Sequence, residues 1–241
     1  MRTPRRSILA LLLAAALLLT SPAAAGPDPK PGEQVHKAFN DLYPVAFRVK
    51  VSAALDKGKA WLLKTQRPDG SWSFFTHRHA FPMGSNALAL LTLLKCGVPR
   101  DDPAVVRAFR HLSTLPLRRV YSVSVLLLAL DAKYAPARDP FAVESFDRYG
   151  NRQRKDPCHK EITPEDLAWM KEGVAYLLEH RKADGYWRYP QDGFDLSNTQ
   201  FALLGLHAAT RCGIKVSQHV WLDALRFCLG HQDKTGEPVM Y

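Results

Sequence analysis

The chain reads as an all-α protein built from repeated helical hairpins, and three observations lead there. Some segments place apolar residues at intervals of three and four, as a helix with one buried face does. Others are apolar all round, as a helix buried on every side must be. The two kinds alternate, and one linked skeleton occurs twice: a striped helix, Asp-Gly-x-Trp, an Ala-Leu-rich run, then Cys-Gly. From Trp72 to Trp187 the spacing is 115 residues, which marks an internal repeat.

Residues 1–25 read as a targeting segment rather than part of the fold. Arg2, Arg5 and Arg6 precede an apolar core at 8–19, and Ala23-Ala24-Ala25 forms a small-residue cleavage site. The expected mature chain starts at Gly26, is exported, and is periplasmic or secreted; Arg5-Arg6 also fits a twin-arginine leader loosely. Losing three of 33 basic residues lowers the formal charge from +10 to about +7, so a membrane surface is a possible neighbour. The cations are scattered over outer-helix faces and no nucleic-acid motif occurs, which excludes nucleic acid as a partner. Residues 26–46, rich in proline, form a tether.

The folded part spans 47–241. Leu55, Gly58, Trp61, Leu62 and Thr65 form the inward stripe of a first outer helix. Asp69-Gly70 turns the chain, and residues 87–94 make an inner helix closed by Cys96-Gly97. Asp101-Asp102-Pro103 starts a second outer helix with Val105, Val106, Phe109, Leu112 and Leu115 as its stripe. Residues 121–130 are again apolar on every face. A charged, proline-punctuated insert at 135–162 interrupts the pattern. Thr163-Pro164-Glu165-Asp166 restarts it, and the second copy follows with Asp184-Gly185-Tyr186-Trp187, an inner run at 202–206 and Cys212-Gly213. A last outer helix at 217–229 offers Val220, Trp221, Ala224, Leu225 and Cys228 as its stripe, before a degraded third turn at 232–236.

Gln66-x-x-Asp69-Gly70-Ser71-Trp72 resembles the glutamine-tryptophan signature of the prenyltransferase and squalene cyclase repeat, and the flanking helices are similar to that repeat too. The resemblance covers roughly residues 51–241. It implies an α/α toroid in which outer and inner helices alternate around a cavity. Three outer-inner pairs plus one lone outer helix make an incomplete ring, so self-association or a protein partner that closes the wall is expected. Gln66, Asp69, Gly70, Trp72, Asp184, Gly185 and Trp187 have a structural task first: reversing the chain and covering helix ends. Arg181 stands where Gln66 does, so the second joint is expected to be held differently.

Squalene-type cyclases protonate substrate from Asp-x-Asp-Asp-Thr-Ala at the mouth of an inner helix. The best match is Asp195-Leu196-Ser197-Asn198-Thr199-Gln200, with Asn198 in place of the middle acid, and an amide has no proton to give. Asp192 and Asp195 are the carboxylates by default, and His207 is a cavity candidate. For the zinc of protein prenyltransferases the available ligands are Cys158-His159, with His77 and His79, none spaced as a closed site. No metal or other cofactor is therefore expected. Cavity-wall polar groups are Asn86, Ser124, Asn198, Thr199 and Gln200. The four cysteines allow three full pairings, which the sequence leaves open. The reading that follows is a binding or scaffold module for an apolar ligand or a protein partner. Its alternatives are an isoprenoid cyclase or prenyl-transferring enzyme, and a polysaccharide-acting toroid enzyme.

Overall fold

The computed structural model describes residues 44–73, 81–135, 161–189 and 196–232. Among them are seven α-helices and no strand: α1 (Val45–Thr65), α2 (Pro82–Lys95), α3 (Pro103–Ser113), α4 (Val120–Tyr134), α5 (Pro164–Glu179), α6 (Leu196–Arg211) and α7 (Gln218–Gly230). No helix among the described residues is long and apolar enough to cross a membrane.

The core is a row of three helices, α2, α4 and α6, with α4 in the middle. Small residues set the spacing. A Cβ on Gly84 of α2 would lie 2.6 Å from Ser122 Oγ, and one on Gly205 of α6 would lie 2.9 Å from Ser124 Cα. Ser122 and Ser124 are two positions apart, about 200° around a helix, so α4 presents a short side chain to each neighbour. Between those contacts Val123, Val125, Leu126, Leu127 and Leu130 are fully buried, which explains why this segment has no polar stripe.

The remaining helices pack onto this row: α3 on α2, α5 on α4 and α6, and more lightly α1 on α2 and α7 on α6. Their starts are the ones the sequence marks. Asp102 caps α3 by accepting from the amide of Ala104 at 2.8 Å, with Pro103 in the first turn. Thr163 caps α5 by accepting from Asp166 N at 3.2 Å, ahead of Pro164. The inner helices α2 and α6 end alike. Gly97 and Gly213 take φ of +80° and +86°, and the following amides, Val98 and Ile214, reach back to Leu93 O and Ala209 O. That is the Schellman closure, which needs a residue without a Cβ penalty.

Two stripes differ from their expected burial. On α1 no residue is fully buried: Leu62 packs against the core, but Leu55 and Trp61 are 56% and 54% exposed. On α7, Val220, Ala224 and Phe227 are buried, while Leu225 and Cys228 face outward. Val106 of α3 is likewise exposed. Periodicity fixes which residues share a face. It does not fix that a neighbour exists to cover it.

Candidate functional site

The candidate residues fall into two joints and one inner-helix face. At the first joint, Arg67 to Trp72, the amide of Gly70 donates to Arg67 O and that of Arg67 to Ser71 O. Gly70 sits at φ +88°, and a Cβ there would strike Arg107 O of α3 at 2.2 Å. Asp69 accepts from both the amide and the hydroxyl of Ser71, and those two bonds hold its carboxyl below the usual range. The indole of Trp72 donates to Leu62 O at 2.8 Å, satisfying a carbonyl in the last turn of α1. Its amide donates to Asn86 Oδ1 at 2.7 Å.

The second joint repeats the backbone and indole bonds of the first, whereas the exposed Asp184 has no counterpart of the Asp69–Ser71 bonds. Gly185 N donates to Lys182 O, Lys182 N to Tyr186 O, and Trp187 Nε1 to Leu177 O at 2.7 Å. Gly185 has φ +86° and would meet the backbone of Asp223 on α7 at 2.5 Å. The polar chemistry then diverges. Gln66 donates to Ala104 O and Gly70 O and accepts from Arg107 Nη2. In the second joint Arg181 instead forms an ion pair with Asp223 at 3.0 Å, and that contact keeps the Asp223 carboxyl low.

Asn86, Ser124 and Thr199 all serve the scaffold. Asn86 also donates from Nδ2 to Pro82 O, so both ends of its amide are engaged. Thr199 accepts from the amide of Trp187 and bonds its carbonyl, taking the place Asn86 has in the first joint. Ser124 donates to Val120 O within its own helix. Asn198 is buried beside Thr199, Gln200 is half-buried, and His207 is exposed. Asp192, Asp195, Cys158, His159, His77, His79, the leader and the degraded third turn beyond Gln232 lie outside the described residues. Cys96, Cys212 and Cys228 form no disulfide with one another. No group of three or more metal-ligating side chains comes together among the described residues.

Beside these positions runs an apolar face on α4 and α6. Tyr121 stacks at a tilt on Phe201, ring centroids 4.3 Å apart, with Leu128 two turns along α4 and Leu204 nearly a turn along α6. Burial, and then the neighbouring Tyr189, push the Tyr121 phenol up. Two clusters at the far ends of the inner helices have no counterpart in the sequence reading. Asp131, 2% exposed, pairs with Arg211 at 2.8 Å and lies 4.0 Å from Cys212 Sγ, tying α4 to α6. Tyr134 and Lys133 both bond Asp166 of α5; Lys133 also lies 4.6 Å from the Phe109 ring centre. The Tyr134 hydroxyl is pushed up by burial and by that carboxylate. A cleft of about 330 Å³ opens there, with Arg100, Lys133, Tyr134 and Glu161 on its walls. The available signal was a single carboxylate or lysine in an otherwise apolar helix, which by itself names no partner.

Comparison of the chain with known families, curated proteins and solved structures returns no match.

Proposed function

We propose that the chain is an exported α/α-repeat module of the prenyltransferase and squalene cyclase type, an incomplete toroid that binds an apolar ligand or a protein partner rather than performing acid-initiated chemistry. The observation that carries this reading is the twin joint. Two Asp-Gly-x-Trp turns, 115 residues apart, make the same backbone and indole bonds, and each seats its glycine on the next outer helix. The side chains that open the inner helices support the same reading, because Asn86 and Thr199 are engaged in holding those turns. An apolar ligand would lie on the face formed by Tyr121, Leu128, Phe201 and Leu204, with aromatic and aliphatic surface and few polar groups to satisfy.

The test is saturable binding of anilinonaphthalene sulfonate to the exported chain, followed by fluorescence. Phe201→Asp should lower the affinity for the dye about tenfold or more, a 1.4 kcal/mol change per decade. Its circular dichroism should stay that of the parent. Unchanged dye affinity in Phe201→Asp, with the fold retained, would remove this face as the binding surface.

A further inference from the structure

The internal repeat shows what belongs on the bare face of α1. Shifted by the 115 residues that relate the two joints, Leu55, Gly58 and Leu62 of α1 correspond to Met170, Gly173 and Leu177 of α5. On α5 all three are buried, and a Cβ on Gly173 would come within 2.9 Å of Leu127 and 3.5 Å of Val123 on α4. On α1 the same stripe has no cover beyond Leu62: Leu55 is 56% exposed, and a Cβ on Gly58 would meet nothing within 4 Å. Trp61, the counterpart of Tyr176, is equally bare, whereas the Tyr176 hydroxyl accepts the amide of Arg119 at 2.8 Å. Every interior outer helix is packed on the inner helix that precedes it, and α1 has none before it among the described residues.

The molecule also carries a helix face of the kind that α1 lacks. Gly173 is covered by two aliphatic side chains at a spacing of four, Val123 and Leu127. Helix α7 presents Leu225 and Leu229, 52% and 55% exposed and also four apart, with Leu222 beside them. Its opposite face, Val220, Ala224 and Phe227, is buried on the fold, so α7 is apolar on two sides as an inner helix is. Charge favours this pairing over α1 against α1. Helix α1 carries Arg48, Lys50, Lys57, Lys59 and Lys64 against Asp56, so two copies of it would repel, while α7 carries one Asp223 and one Arg226.

We propose that α7 of a second copy docks over Gly58 on α1, a head-to-tail contact that continues between chains the packing of α5 on α4 within one. Such an interface is heterologous, so copies associate into a closed ring or an open array. This inference rests on the repeat reading above.

Two variants, each weakening one face, test it in the full exported chain. Gly58 lies in a helix at ordinary φ with open space around it, so Gly58→Leu adds bulk without disturbing its own fold. Leu225→Asp puts a charge on the opposite face. By light scattering at tens of micromolar, the parent should exceed the mass of one chain and each variant alone should be monomeric. An equimolar mixture of the two should form a dimer that grows no further, because it holds one intact α1 face and one intact α7 face. A monomeric parent, variants that still associate, or a mixture that stays monomeric would each overturn the proposal. Failure of the underlying repeat reading shows separately: Gly173→Leu should then be as well tolerated in thermal unfolding as Gly58→Leu. If the reading holds, Gly173→Leu is destabilised more than Gly58→Leu, because a buried leucine there must displace Leu127 and Val123, whatever the oligomeric state.

Discussion

The two joints share a backbone and differ in the polar pair that braces them. Gly70 and Gly185 have φ of +88° and +86°, and Trp72 and Trp187 each cap the carbonyl ten residues before them. At the first joint the brace is an amide: Gln66 bonds Arg107, Ala104 and Gly70. At the second it is an ion pair between Arg181 and Asp223. Arg107 and Asp223 lie at matching places, the point on the next outer helix where the turn glycine lands. The cation has therefore crossed from the receiving helix to the turn, with its partner changed to match. Geometry dictates the glycine, because a positive φ coincides with neighbouring backbone that a Cβ would strike, and it favours the indole, a large buried ring with one donor. The brace needs only complementarity, so its chemistry is free to differ.

The largest expected effect treats the joints alike. Trp72→Ala and Trp187→Ala should each cost about 3–5 kcal/mol in urea unfolding, since both rings are buried and each leaves a cavity and an orphaned carbonyl. Similar losses at both joints would support their equivalence; a loss at one joint alone would break it. Replacing the side chains that receive the tryptophan amides comes next. Asn86→Ala and Thr199→Val should each destabilise by about 1–3 kcal/mol, because each leaves a buried amide without its acceptor.

The smallest effect separates the joints. The Arg181–Asp223 pair is partly exposed and screened by water, so Arg181→Gln should lower stability only slightly, and less so in high salt. Exchanging the chemistry, with Arg181→Gln and Asp223→Arg together, should recover the loss by giving the second joint the brace of the first. If the double variant is no better than the sum of the single ones, the two braces are not interchangeable. Acid distinguishes the joints further. Asp223 is held low by Arg181 and Asp69 by Ser71, so each contributes stability at neutral pH. That stability fades as pH falls below the ordinary carboxylate range toward their lowered folded values, where the unfolded chain takes up protons first. Asp223→Asn should reduce both the acid slope and the salt dependence of unfolding. Asp69→Asn should reduce mainly the acid slope, since its largest partners are the neutral hydroxyl and amide of Ser71, with weaker pulls from His111 and Arg67.

The sequence by itself determined the helical class, the alternation of striped and all-apolar helices, the glycine closures and the proline and acidic starts. Each follows from local physics: side-chain periodicity, φ preference and the unpaired groups of a helix end. It also carried the twin joints, because one indole and one glycine at fixed spacing have few other uses. Only the tertiary structure decided what those residues touch. The change from Gln66 to Arg181 was visible, but its answer at Asp223 lies on another helix. Asn86 and Thr199 read from the sequence as cavity groups, and their bonds to the tryptophan amides become visible only in the fold. Asp166 reads in the sequence only as part of a helix start and Asp131 as one carboxylate in an apolar helix, since a carboxylate is defined by the partner that meets it, here the Lys133–Tyr134 pair and Arg211. Burial was decided last: the stripes of α1 and α5 are the same pattern 115 residues apart, one covered and one bare. A periodic stripe states which face is apolar, and only the packing of other helices states whether that face meets a neighbour.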